Sequence, residues 1–138
     1  MKNLVFKFLN QLEGFKTAVK NLHWSSDNMS QHKLFDDIAD SLNEFQDKVG
    51  EVEQSISGKF PVNSLKGIPY TIEGPQKFLE DLYDAVKKFY NSLKKLGDDY
   101  IGMRSDCEAY LSDVQRQKYL MDFTLKEGLR RRLKKLNG

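Results

Sequence analysis

Apolar residues recur along most of the chain with alternating steps of three and four, the spacing of amphipathic α-helices. The first such run predicts a helix from Asn3 to His23, and the second predicts a helix from Asn28 to Ile56. Ser26 or Ser30 is a candidate cap for the second helix, and Gly58 is expected to end it. The first part of the chain is therefore predicted to form a helical hairpin.

The same periodicity returns after a connection rich in proline and glycine. This connection covers Lys59 to Gly74, and Pro75 then occupies a favoured first helical position. A third helix is predicted to begin at Pro75 and to end at Gly97. A fourth is predicted to begin at the capping box of Ser105, and Gly128 is expected to weaken its end.

The number of helices and the lengths of their connections predict the fold class. Four amphipathic helices of roughly 20 to 30 residues favour an all-α four-helix bundle, in one domain covering residues 1–138. The short first and third connections predict antiparallel hairpins, whereas the 16-residue second connection is long enough to cross the bundle. Two hairpins joined by a long crossover form the ferritin-like arrangement, which is the fold we expect.

Charge is informative through its distribution. The 22 basic and 20 acidic residues give a net charge of +2, which neither favours nor excludes a polyanionic partner. Residues 33–53 are strongly acidic, whereas residues 129–138 form a basic C-terminal tail. Its positive side chains belong to Arg130, Arg131, Arg132, Lys134 and Lys135. The tail is either a solvated helix end or a patch that binds phosphate groups, so DNA is a candidate partner.

The chain also carries features that bear on its location. Cys107 is the only cysteine, so an internal disulfide is excluded and a reducing compartment is favoured. The apolar stretch from Leu4 to Leu9 is too short for a secretory signal and is interrupted by Lys7. No apolar run approaches the length of a membrane span. We therefore expect a cytoplasmic protein without a membrane partner.

Metal-ligand side chains lie on the second predicted helix, on the face opposite its apolar stripe. His32, Asp36, Asp47 and Glu51 project from one strip about 100° wide. His32 and Asp36 have the i, i+4 spacing that lets two side chains reach one ion, and so do Asp47 and Glu51. His23, at the end of the first helix, is the natural additional imidazole for the pair that contains His32.

The two pairs are too far apart to bind one ion within a single chain. Asp36 and Asp47 are eleven residues apart, which is roughly 16 Å along a helix. A site containing both pairs needs the second pair from another copy across a two-fold axis, which generates two identical sites per dimer. The alternative is that this charged strip is simply the solvent-facing side of the helix. Mixed histidine and carboxylate ligands suit iron, with zinc or manganese as alternatives.

The residues around these positions resemble the Dps family of mini-ferritins. The resemblance covers residues 19–62, where histidine and tryptophan end the first helix and a second histidine precedes three carboxylates at the family's spacing. Its motifs are Asn21-Leu-His-Trp24, His32-Lys-Leu-Phe-Asp36, Phe45-Gln-Asp47-Lys-Val-Gly-Glu51 and Gly58-Lys-Phe-Pro61. The resemblance implies a ferroxidase centre shared by two subunits. Its ligands would be His23, His32 and Asp36 from one chain and Asp47 and Glu51 from its mate.

The resemblance also implies a function. Ferrous iron would be oxidised at the shared site by peroxide or dioxygen and stored as ferric mineral inside a hollow homo-oligomer. That oligomer usually has twelve subunits, and a dimer is the minimum. The basic tail would take the place of the lysine-rich N-terminal extension that many members use on DNA. The alternative is a structural protein, or one that binds DNA or protein, with the same fold and a weak or vestigial metal site.

Overall fold

The protein is described here from a computed structural model that covers residues 2–137, with side chains from residue 4 onwards. Its helices are α1 (Lys2–Trp24), α2 (Met29–Ser57), α3 (Pro75–Leu93) and α4 (Ile101–Asn137). A 3₁₀ turn at Asp98–Tyr100 precedes α4. The described residues contain no strand, which confirms the predicted all-α class. No helix in this part of the chain has an apolar stretch long enough to cross a membrane.

The four helices bury their apolar stripes in one common core. α1 packs along α2, α3 packs along α4, and α2 packs along α4. Phe8 of α1 stacks on Phe89 of α3, with ring centroids 3.8 Å apart. Phe45 of α2 stacks on Tyr110 of α4 at 4.2 Å. These contacts join all four helices into a bundle, because each ring pair connects helices from opposite halves of the chain.

The ends of α2 follow from local hydrogen bonding. Asn28 caps the helix: its side-chain oxygen accepts a hydrogen bond from the backbone N–H of Gln31 at 2.8 Å. The predicted caps Ser26 and Ser30 are therefore wrong. Gly58 ends the helix as predicted, with a positive φ of 92° that a glycine adopts without strain.

The later helix boundaries differ in part from the predictions. α3 begins at Pro75 as predicted but ends at Leu93, four residues before Gly97. The predicted start of α4 at Ser105 is wrong, because the helix already begins at Ile101. Tyr100 is buried just before it, and its hydroxyl donates to the Glu53 carboxylate at 3.0 Å. This tertiary contact stabilises the first turn of α4, which precedes the predicted capping box at Ser105.

The connection between α2 and α3 lies beside α1. Phe60 packs on Phe6, with ring centroids 4.4 Å apart. Further along, the backbone N–H of Ile68 donates to the carbonyl of Asn10 at 2.9 Å, and the N–H of Lys66 donates to the Asn10 side chain at 2.7 Å. These hydrogen bonds satisfy backbone groups of a segment that has no helix of its own.

A glycine permits the closest approach of this connection to α1. A Cβ atom on Gly14 would lie 1.8 Å from the carbonyl oxygen of Ile68, so any larger residue would displace the connection. Tyr70 then packs on Phe15 of α1 and Phe78 of α3. Its hydroxyl donates to Asp81 at 2.6 Å, which ties the end of the connection to α3.

The C-terminal part of α4 extends past the turn between α1 and α2. The Asn28 side-chain amide donates to the carbonyl of Thr124 at 3.1 Å, which marks where α4 passes that turn. Gly128 lies against Asn28, and α4 continues through it to Asn137, so the expected weakening does not end the helix there. The tail is helical as far as Asn137, and residues 129–137 are all exposed, including three leucines.

Candidate metal centre

A short turn brings the two histidines of the chain together. His23 lies in the last turn of α1, and His32 lies in the first turn of α2. The backbone N–H of Ser25 donates to Asn21 and that of Ser26 donates to His23, which closes the last turn of α1, and α2 already begins at Met29. The antiparallel packing of α1 and α2 then places both imidazoles on the same side of the hairpin.

The ring nitrogens converge with one carboxylate. His23 Nε2 lies 2.9 Å from His32 Nε2 and 3.1 Å from Asp36 Oδ1. One ligand atom from each residue lies within 4.8 Å of the other two, so the group can hold one metal ion. The imidazoles are half-buried and the Asp36 side chain is 57% exposed. Protein therefore surrounds one side of the group, and the other side is open to further ligands.

The spacing of these atoms is compatible with one shared ion. At metal–ligand distances of about 2.1 Å, neighbouring ligands are roughly 3.0 Å apart around an octahedral ion and roughly 3.4 Å apart around a tetrahedral one. The separations from His23 Nε2 to His32 and Asp36 are 2.9 and 3.1 Å, short enough for atoms that share an ion of either geometry. Hydrogen bonds sharing the His23 Nε2 proton have the same lengths, so the group is also satisfied without an ion.

Asp47 and Glu51 lie further along α2, and neither belongs to the group of three ligands. Both carboxylates are exposed, at the edge of a shallow groove that also contains Gly50 and Phe60. The structure therefore brings together three of the five predicted ligands, His23, His32 and Asp36. Within one chain the other two remain separate, as expected from their position along a straight helix.

Ser26 contacts both histidines, a role that the sequence analysis missed. Its hydroxyl donates to the His23 backbone carbonyl at 2.6 Å. The same oxygen lies 3.5 Å from His32 Nδ1, the ring nitrogen on the far side from the ligand group. The neighbouring Ser25 is an equally small hydroxyl residue whose hydroxyl donates to α1 backbone carbonyls, so the sequence alone does not single out Ser26.

Glu53 is a second residue whose surroundings the sequence did not reveal. It counts among the acidic residues of α2, yet it is fully buried. Its carboxylate accepts hydrogen bonds from Ser57 at 2.8 Å and from Tyr100 at 3.0 Å. Burial and the neighbouring carboxylate raise the pKa of Tyr100, so its hydroxyl remains a donor. Glu53 therefore contributes to the core, separately from the candidate ligands.

The basic tail lies at the same end of the bundle as the histidines. Arg132 forms an ion pair with Asp27 of the α1–α2 turn at 3.1 Å, and Arg131 pairs with Glu127 at 2.8 Å. The remaining predicted nucleic-acid-binding residues, Arg130, Lys134 and Lys135, are exposed. A contact between tail and turn therefore connects the predicted DNA-binding residues with the segment that carries the candidate ligands.

Cys107 takes no part in this group. It is fully buried in the core, and burial together with neighbouring carboxylates raises its pKa to about 12. The candidate centre thus consists of His23, His32 and Asp36, with Ser26 behind His32. Comparisons of the chain with protein-family models, with curated proteins and with solved structures find no match.

Proposed function

We propose that the protein is a Dps-like ferroxidase and iron-storage protein, which oxidises ferrous iron at a site shared by two copies of the chain. One observation carries the proposal: His23 Nε2, His32 Nε2 and Asp36 Oδ1 converge at the spacing of ligands on one ion. The resemblance of residues 19–62 to the Dps family suggests which ion it is and what happens to it.

The chemistry of the ligand group supports ferrous iron as the substrate. Two imidazoles and a carboxylate suit ferrous iron and leave coordination positions open on the solvent side. Iron bound there would give up one electron per ion to peroxide or dioxygen. Zinc or manganese would occupy the same ligands without being consumed.

The exposed face of α2 supports a second copy as the source of the remaining ligands. Asp47 and Glu51 are exposed and belong to the same strip as Asp36. Facing acidic strips would repel one another unless cations bind between them. Two antiparallel copies of α2 would bring Asp47 and Glu51 of one chain to His32 and Asp36 of the other, with an ion in each of two equivalent sites.

Exposed apolar residues beside the ligands also favour an interface there. Trp24 follows His23 directly and is 70% exposed, and Met29 in the first turn of α2 is 61% exposed. A contact with a second copy at this end of the bundle would remove both side chains from water. The proposal of a ferritin-like fold rests on a separate feature, namely the long connection between α2 and α3, which lies along α1.

Mixing two inactive variants tests the shared site. His32→Ala and Asp47→Ala should each abolish rapid ferrous oxidation without loss of helix content, because both residues lie outside the core. In a heterodimer of the two variants, one site lacks both ligands and the other is intact. Random exchange of equal amounts should therefore restore about a quarter of wild-type activity.

A matched control separates the ligand effect from the loss of a surface charge. Glu44→Ala removes an exposed carboxylate from the same helix, outside the candidate ligands, and should retain activity. No recovery of activity after exchange, with mixed oligomers verified by native mass spectrometry, would contradict the two-chain site. Absence of ferrous oxidation by the wild-type protein would contradict the proposed function itself.

A second candidate function rests on the tail. An exposed basic helix that projects past the bundle suits contacts with DNA phosphates or with another protein. In that alternative the metal site is weak and the fold mainly presents the tail. Native mass with and without ferrous iron distinguishes the two, because a dimer that takes up no iron fits only the second.

A further inference from the structure

The hydroxyl of Ser26 has one proton, and its contacts determine where that proton lies. A serine hydroxyl donates one hydrogen bond and accepts others through its lone pairs. The 2.6 Å contact with the His23 carbonyl requires the proton, because a carbonyl oxygen can only accept. Towards His32 Nδ1, at 3.5 Å, the Ser26 oxygen is therefore an acceptor.

This assignment favours one tautomer of His32. A neutral imidazole carries one N–H, and an acceptor beside Nδ1 favours the proton at that position. Nε2 then presents its lone pair to His23 and Asp36, which is the form a metal ligand needs. At 3.5 Å the contact is at the long limit for a hydrogen bond.

The tautomer of His23 follows from that of His32. If His32 Nε2 is an acceptor, the 2.9 Å contact between the rings requires a proton on His23 Nε2. That proton also faces Asp36 Oδ1 at 3.1 Å. An ion bound by all three atoms would replace it, and neutral His23 would carry its proton on Nδ1 instead.

We propose that Ser26 is a positioning residue that holds His32 in the Nδ1–H tautomer and so directs its Nε2 lone pair to the metal. The proposal rests on the proposed metal site but concerns a residue outside the ligand set. Groups that orient a metal-bound imidazole in this way change metal affinity by about 10- to 100-fold when removed.

The first test is the tautomer itself in the metal-free wild-type protein. Long-range ¹H–¹⁵N correlation spectra report which ring nitrogen carries the proton. We expect Nδ1–H for His32 and Nε2–H for His23. An Nε2–H tautomer of His32 would overturn the proposal, whatever the protein does with iron.

The second test measures Zn²⁺ binding, since zinc probes the ligands without redox chemistry. Ser26→Ala should lower the affinity by about 10-fold or more, and Ser26→Thr, which keeps a hydroxyl, should restore most of it. Ser25→Ala is the matched control, because the Ser25 hydroxyl donates to backbone carbonyls of α1.

The outcomes separate this inference from the proposed function. Unchanged zinc affinity and an unchanged His32 tautomer in Ser26→Ala would refute the role of Ser26 while leaving the metal site standing. A serine-dependent zinc site in a protein that does not oxidise ferrous iron would support Ser26 and refute the ferroxidase. If the wild type binds no zinc, the tautomer of His32 still decides the role of Ser26.

Discussion

Two glycines in helix interiors differ in the space available for a side chain: Gly14 is crowded and Gly50 is not. Gly14→Ala would place a Cβ atom 1.8 Å from the backbone of Ile68, so we expect unfolding free energy to fall by about 1–3 kcal/mol. The Cβ atom of Gly50→Ala would lie at an ordinary contact distance of 3.8 Å from Phe60. This substitution should therefore raise the free energy of unfolding by about 0.5–1 kcal/mol. Urea unfolding measures both. Equal effects would contradict the close approach of the connection to α1.

The hydrogen bond from Tyr70 to Asp81 should make stability depend on pH. Burial raises the pKa of Asp81, but hydrogen bonds from Lys77 and Tyr70 outweigh it and lower the pKa overall. Tyr70→Phe removes one donor and should lower the free energy of unfolding at neutral pH by about 1 kcal/mol. Urea unfolding across pH values measures the difference.

The sign of this dependence follows from the lowered pKa. A carboxyl whose folded pKa lies below its usual value of about 3.9 stabilises the protein above that pH and loses the effect as pH falls through the folded value. The difference between wild type and Tyr70→Phe should therefore shrink below about pH 4. Tyr119→Phe, at an exposed position, should change little at any pH. A difference that grows on acidification would refute this account.

The C-terminal tail is the element on which any DNA binding is expected to depend. If the protein retains duplex DNA, deleting residues 129–138 should abolish that retention and its dependence on salt, because phosphate contacts release counterions. Helix content of the remainder should persist, since residues 129–137 are exposed. Gel retardation at several salt concentrations, with circular dichroism, measures both. Undiminished DNA binding by the truncated protein would locate that activity elsewhere.

Periodicity predicted the elements well, because helices that pack on one core must present apolar residues every three or four positions. Gly58 and Pro75 were identified correctly as boundaries, since their effects on the backbone are local. The start of α4 was missed because it depends on a distant partner: Tyr100 is buried against Glu53 of α2. No pattern within a few residues of Ser105 contains that information.

The candidate centre, like the helices, could be predicted in part from the sequence. Helix geometry alone places Asp36 near His32 and far from Asp47. The approach of His23 to His32 was expected from a hairpin with a short turn. The contacts of Ser26 depend on the dihedral angles of that turn, which neighbouring residues do not determine, so the sequence indicates only a candidate helix cap at this position. Metal binding by the group stays a prediction.

The assembly state is a prediction at the scale of the whole molecule. The two ligand pairs lie apart on one chain, so a complete site requires at least a dimer. Native mass spectrometry or light scattering at micromolar concentration should give a dimer or larger, and a twelve-subunit shell is what the Dps resemblance implies. A monomeric mass in the presence of metal would contradict the shared site.

Cys107 provides a chemical reporter for how such assemblies exchange subunits. Thiol reagents attack an accessible thiolate, and this thiol is fully buried with its pKa raised to about 12. We therefore expect alkylation at neutral pH to occur only when the bundle opens. Mass spectrometry with a thiol reagent can follow labelling and subunit mixing together. Subunit mixing without labelling would mean that folded chains exchange between oligomers. Equal rates of labelling and mixing would mean that each chain unfolds before it exchanges.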